Sequence, residues 1–146
     1  MKFRMIIDKT AEEEIVVTTH EPSALTEKIQ QLVQEYTGTD RVAAYLEDEI
    51  RMLPFDKIAC ITVVEGKTFA VDHKGKQYRL KQRLYELETI LPATFVRINK
   101  SAIANERLIE RFAVGFSGAV DAVFVGGYRE YVSRRCFAEI KRRYHL

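Results

Sequence analysis

From Arg41 onward the apolar residues fall into short runs at close intervals: Val42 to Leu46, Glu49 to Phe55, Ile58 to Val64, Thr68 to Asp72 and Lys76 to Tyr78. Runs of this length, rich in Val, Ile, Thr and Tyr and bounded by turn residues, predict strands, with Gly66 and Gly75 at tight turns. Leu80, Leu84, Leu87 and Leu91 then recur at intervals of four, three and four. That spacing predicts one amphipathic helix, which Pro92 stops. Beyond it, Phe95 to Asn99, Leu108 to Gly115, Ala119 to Val125 and Arg129 to Val132 predict more strands, with Ser117-Gly118 and Gly126-Gly127 as hairpin turns. Ser133 is placed to cap a final helix with Phe137, Ile140 and Tyr144 inward and Arg135, Arg142 and Arg143 outward.

Ahead of Arg41 the pattern differs. Residues 2 to 7 and 13 to 19 are rich in Ile, Val, Met and Thr and flank the polar stretch Asp8 to Glu12, so they predict the two strands of a hairpin. Pro22 opens a segment in which Leu25, Ile29, Leu32, Val33 and Tyr36 recur at helical spacing, ended by Gly38. Residues 1–40 therefore read as a small β-β-α appendage and residues 41–146 as the main domain. The expected fold class is mainly β with a few helices, a β-rich α+β arrangement, without internal repeats.

Length and composition narrow the picture. A chain of 146 residues suits one domain with a small appendage and can bury a core without staples. Cys60 and Cys136 sit in apolar or helical contexts, which fits reduced thiols better than a disulfide or metal ligands. Charges in the first eight residues interrupt any secretory core, and no apolar stretch is long enough to span a bilayer, so a cytoplasmic protein is expected.

The net charge of +2 conceals an asymmetry. The first forty residues carry four basic and eight acidic side chains, residues 41–96 nine and eight, and residues 97–146 ten and five. A polyanionic partner for the C-terminal end is one explanation, and an ordinary solvated basic face is the other.

Several motifs lead nowhere. Gly66-Lys67-Thr68 resembles the tail of a phosphate-binding loop, but the position that needs the first glycine is Ile61. His20, His73 and His145 share no ligand-like spacing with cysteines or carboxylates, so neither a metal site nor a histidine-based catalytic site is supported. Adjacent carboxylates in Glu12-Glu13-Glu14 and Glu47-Asp48-Glu49 point in different directions and read as solvated turns. No enzymatic activity, cofactor or small-molecule substrate is expected.

The informative stretch is Phe95-Val96-Arg97-Ile98-Asn99-Lys100-Ser101-Ala102-Ile103-Ala104-Asn105, with Tyr131-Val132-Ser133-Arg134-Arg135 further on. Both are strand ends running into donor-rich tips. Hydroxyls and backbone amides suit phosphates, and Lys or Arg can reach guanine N7 and O6 in the major groove. The residues alone leave open whether these tips bind nucleic acid or are simply solvated.

These stretches resemble the LytTR family of bacterial DNA-binding domains. The family's aromatic-Arg-x-x-basic-Ser-x-aliphatic-x-Asn stretch is carried here by Phe95, Arg97, Lys100, Ser101, Ile103 and Asn105, and its Ser-Arg pair by Ser133 and Arg134. The resemblance covers roughly residues 41–146. It implies a β-rich fold that lays loops into successive major grooves of double-stranded DNA and commonly binds paired direct repeats. It also implies base contacts from Lys100 and Arg134 and an earlier reading loop with Lys67. Asn99 stands where many members carry His.

The expected interface set is thus Lys100, Arg134, Arg97, Asn99, Ser101, Ser133, Arg135 and Lys67, with Arg97 and Arg135 serving phosphates and Asn105 a turn. The first forty residues do not offer the alternating α/β receiver that many relatives carry. Stand-alone members of this kind imply a homodimer, or sequestration by a membrane-bound regulatory partner. The rival function is a protein-interaction module on the same basic scaffold, with an RNA reader behind it.

Overall fold

The computed structural model describes residues 2–37 and 40–146. Helix α1 (Ala24–Thr37) comes first, then strands β1 (Arg41–Leu46), β2 (Glu49–Pro54), β3 (Ile58–Val64), β4 (Lys67–Asp72) and β5 (Gln77–Leu80). The short helix α2 (Leu84–Glu88) leads to β6 (Phe95–Asn99), β7 (Ala102–Asn105), β8 (Ile109–Val114), β9 (Val120–Phe124) and β10 (Arg129–Val132), and helix α3 (Arg134–Tyr144) closes the chain. Two antiparallel sheets result: seven strands in the order β2-β1-β5-β4-β3-β7-β6, and three in the order β10-β9-β8. The β-rich fold class expected from the pattern is the one observed.

Strand β3 organises the interior. It is buried on both faces from Ile58 to Thr62, as a central strand covered on both sides must be. Its register with β4 shifts between Ile58 and Cys60. Such a bulge breaks the strict alternation of side chains. Consequently Ile58 and Ile61, three residues apart, share one core with Leu80, Leu84, Leu87, Leu91 and Ile103. Ala59 and Cys60 enter a second core with Ile98, Phe124, Val132 and Ile140. The first core is roofed by α2, and the second lies between the two sheets and α3.

The sheets meet where two turns touch. The Gly126 backbone, at φ +91°, lies so close to the turn after β4 that a Cβ there would stand 2.5 Å from the His73 carbonyl oxygen. Asp72 holds that neighbouring turn by accepting the N–H groups of Lys74 at 2.9 Å and Lys76 at 2.8 Å.

Four expectations need correction. Residues 2–22 form no strand, so the predicted hairpin is absent. Only its turn exists, with Asp8 Oδ1 accepting the Thr10 N–H at 3.0 Å. A lone pair of strands with no sheet or helix beneath it is marginal, and Phe3, Ile6, Ile7, Ile15 and Val16 are all exposed. The leucine helix is shorter than its spacing suggested. Leu80 ends β5, α2 holds only Leu84–Glu88 and Leu91 follows in a bend, the four leucines converging on one core from different kinds of structure. Strand β7 is an addition, concealed by its alanines. Tyr144 is half-exposed rather than inward, its hydroxyl donating to Glu106 Oε2 at 2.7 Å beside the Arg143–Glu106 ion pair. Gly38, the expected helix stop, lies outside the described residues.

Candidate nucleic-acid interface

Three chain reversals line up along one end of the fold, each for a local reason. The first is the two-residue turn between β3 and β4, where Glu65 and Gly66 both take positive φ, 52° and 75°. That combination makes a tight hairpin whose twist matches its strands, and it leaves Lys67 exposed at the start of β4. The second is the turn Asn99-Lys100-Ser101 between β6 and β7. The third is the junction from β10 into α3, where Ser133 caps the helix by accepting the Cys136 N–H at 3.2 Å.

Backbone hydrogen bonds hold the three in a row. The Val63 N–H donates to the Ser101 carbonyl at 2.8 Å, joining the first reversal to the second, and the Ser133 N–H donates to the Ile98 carbonyl at 2.8 Å, joining the second to the third. Asn99 reinforces the latter link, its amide donating to the Tyr131 carbonyl at 2.6 Å while its oxygen accepts the Ser101 N–H at 2.7 Å. Arg97 supports the middle tip from below: its guanidinium pairs with Glu88 and donates to the Lys100 carbonyl at 2.7 Å.

All eight expected interface residues therefore lie on or directly behind this edge, but in different circumstances: Ser133 is committed to its cap and Ser101 is half-buried. Asn99 and Arg97 are occupied within the protein. Lys67, Lys100, Arg134 and Arg135 are exposed, and among the described residues no salt bridge engages them. Arg134 and Arg135 also stand in the first turn of α3, where the helix dipole disfavours positive charge. That placement makes sense when an anion sits opposite.

Sequence reasoning missed one participant. An open groove of about 400 Å³ between the first two reversals is lined by Gly66, Thr68, Arg97, Lys100 and Ser101, and also by Arg83, which directly precedes α2. Arg79, Lys81 and Arg83 alternate along the chain, a basic periodicity that pointed to this element. Asn105, read as a turn residue, is one: it is buried, donates to the Ile58 carbonyl at 3.0 Å and accepts the Arg107 N–H at 3.2 Å.

Behind the edge Cys60 and Tyr128 are held neutral. Burial, aided by the Glu130 carboxylate, pushes the Cys60 thiol well above its usual range. Burial also raises the Tyr128 phenol, with Glu130, Cys60 and the hydrogen bond from its hydroxyl to Glu130 Oε1 at 3.1 Å adding to the effect. Among the described residues no group of His, Cys, Asp and Glu side chains is arranged to hold a metal ion. No helix there is long and apolar enough to cross a membrane.

Residues 48–145 match the model of the LytTr DNA-binding domain family. Two relatives from strains of Staphylococcus aureus, each named an HTH-type transcriptional regulator, are 28% and 29% identical and align over 98% of this chain and 97% of their own length. Among solved structures, the fold is similar to the LytTr DNA-binding domain of a Bacillus cereus protein described as a methyl-accepting/DNA response regulator. That match has a TM-score of 0.65 at 21% identity and covers 73% of this chain and 98% of that one.

Proposed function

We propose, from the premise that this chain belongs to the LytTr DNA-binding domain family, that it is a sequence-specific transcriptional regulator reading the major groove through the three aligned reversals. The observation that carries the proposal is the row itself: Lys67, Lys100, Arg134 and Arg135, exposed and without a salt bridge among the described residues, on tips tied together by backbone hydrogen bonds. Phosphate attraction supplies affinity, and only groups at fixed positions can add base discrimination.

Lys100 and Arg134 are the base readers in this proposal. Ser101, Ser133 and Arg135 meet phosphates, and Lys67 and Arg83 flank the groove at its far side. Arg97 and Asn99 shape the middle tip rather than touch DNA. Two helices joined by a short turn, the second reading the groove, do not fit, because five strands separate α1 from α2 and five more separate α2 from α3. The regulator acts as a homodimer.

The test is recovery and sequencing of genomic fragments bound by the purified protein, with the Lys100→Ala, Arg134→Ala double variant alongside. A shared motif enriched by the wild type and lost by the variant is expected. Each lost base contact costs roughly 1 to 3 kcal/mol, and affinity falls steeply with salt. Folded wild-type protein that enriches no motif would point instead to an interaction module.

A further inference from the structure

Helix α1 is mounted the wrong way round for a lone molecule. An amphipathic helix ordinarily turns its apolar stripe to the core. Here a largely polar face meets the body, with Ile29 and Val33 half-buried at its margin: Glu27 pairs with Arg107, Gln30 Oε1 accepts the Ala93 N–H at 3.2 Å, and Gln34 Nε2 donates to the Ile90 carbonyl at 3.2 Å. Leu32 and Tyr36 are left 65% and 87% exposed, with Leu25 beside them. The segment ahead of the helix is equally bare, Phe3 being 93% and Ile7 81% exposed.

We infer that residues 2–22 together with the outward stripe of α1 form the contact surface for a second copy of this chain. In that contact the segment 2–7 of one copy pairs as a strand with the segment 12–19 of the other. The inference deepens the homodimer named above and rests on that proposal only for its use; the association itself involves no DNA.

Three observations select a second copy as the occupant. The first is area. Among the described residues, ten large apolar side chains from Phe3 to Tyr36 are exposed. At on the order of 100 Å² for each full side chain, they offer on the order of 700 Å² per molecule, close to the roughly 800 Å² that each partner contributes to a standard interface.

The second is charge. Lys2 and Arg4 lie on one segment and Glu12, Glu13 and Glu14 on the other. Like segments from two copies would repel and unlike segments attract, so between two copies exchange is the favoured pairing. Four strands laid over two α1 stripes form a layer that two strands cannot.

The third is position. Helix α1 contacts the chain just before β6 begins at Phe95, and the DNA-reading tip follows the other end of that strand at Asn99. The two are roughly 13 Å apart at ~3.3 Å per residue. A second copy on α1 therefore docks at the end of β6 opposite the reading tip.

The experiment is sedimentation equilibrium of the full chain without DNA. The wild type at micromolar concentration is expected at twice the 16.9 kDa chain mass. The Ile6→Asp, Val16→Asp variant is expected at the single mass, with a circular dichroism spectrum that loses only the strand contribution of residues 2–19 and keeps that of the domain. A wild type at the single mass, or a variant that stays double, overturns the inference.

A charge-swap pair covers the case in which the apolar variant fails to fold. Arg4→Glu and Glu13→Arg proteins should each dissociate at least tenfold more readily than the wild type, and their mixture should form a mixed dimer. Absence of the mixed dimer rules out exchanged pairing. The Lys100→Ala, Arg134→Ala protein serves as the control, losing DNA while keeping the double mass, so that failure of DNA reading and failure of association are distinguishable.

Discussion

The side-chain amide of Asn99 donates to the Tyr131 carbonyl at 2.6 Å, so a residue on the middle tip fastens the strand that leads into α3. Because the same side chain also accepts the Ser101 N–H, one residue sets the shape of one tip and its distance from the next. Replacing it with Asp keeps the acceptor and turns an oxygen toward the Tyr131 carbonyl. Asn99→Asp is expected to weaken binding to cognate DNA at least tenfold and to lower stability by about 1 kcal/mol. Electrophoretic mobility shifts and urea melts check the two effects; since the added charge alone weakens DNA binding, unchanged stability would remove Asn99 from the positioning role.

Glu88 offers a sharper test of positioning. Removing a carboxylate near a DNA surface ordinarily strengthens binding, because less negative charge faces the phosphates. Here Glu88 holds Arg97, and Arg97 holds the Lys100 carbonyl. Glu88→Gln is therefore expected to lower the ratio of cognate to random-sequence affinity while nonspecific affinity stays level or rises. Fluorescence anisotropy with both duplexes reads this, and an unchanged ratio would remove Arg97 from the positioning role.

At the joint between the sheets, Gly126→Ala places a methyl group 2.5 Å from the His73 carbonyl oxygen at a backbone φ of +91°. Neither the neighbouring backbone nor the dihedral can yield cheaply. A loss of about 2 to 4 kcal/mol is expected, seen in calorimetry as a melting temperature lower by roughly 10 °C. Gly127, with nothing near its Cβ direction, serves as the comparison at the same φ.

Alkaline pH should loosen the second core. The Tyr128 phenol is raised above its ordinary value of 10.0 by burial first and then by Glu130, so the folded state holds the proton more tightly than the unfolded chain. That contribution to stability is complete below about pH 10 and is lost as the pH rises through the folded value. Urea denaturation at about pH 8 and about pH 11 should show a drop that the Tyr128→Phe variant largely lacks. An equal drop in both proteins would place the alkaline sensitivity elsewhere.

How much of this was legible in the sequence depended on whether a residue's fate was decided locally. Strands β3, β6 and β10 fall at the residues their patterns predicted, since each is a short β-branched or aromatic run closed by turn chemistry. Ser133 was legible as a cap for the same reason. The four leucines were misread as one helix because spacing records which residues meet in a core and not which element carries them there.

The N-terminal segments show the opposite limit. Their strand pattern is real in sequence, but a strand needs a partner. Strand β7, Ala-Ile-Ala-Asn, hid because alanine carries little strand signal, yet its alanines are what let two sheets approach. The tips themselves could be found, but the hydrogen bonds that place Asn99 and Arg97 inside the protein span up to 32 residues and leave no local trace.

The bulge in β3 reaches beyond packing. Because one strand supplies Ile58 and Ile61 to one core and Cys60 to the other, neither half can melt and leave its neighbour standing. The domain should unfold in a single step, with hydrogen exchange of its central amides set by global opening rather than by local fluctuation. Damage to either interior then dismantles the reading edge as a whole, so the protein's DNA affinity and its mechanical integrity fail at the same temperature.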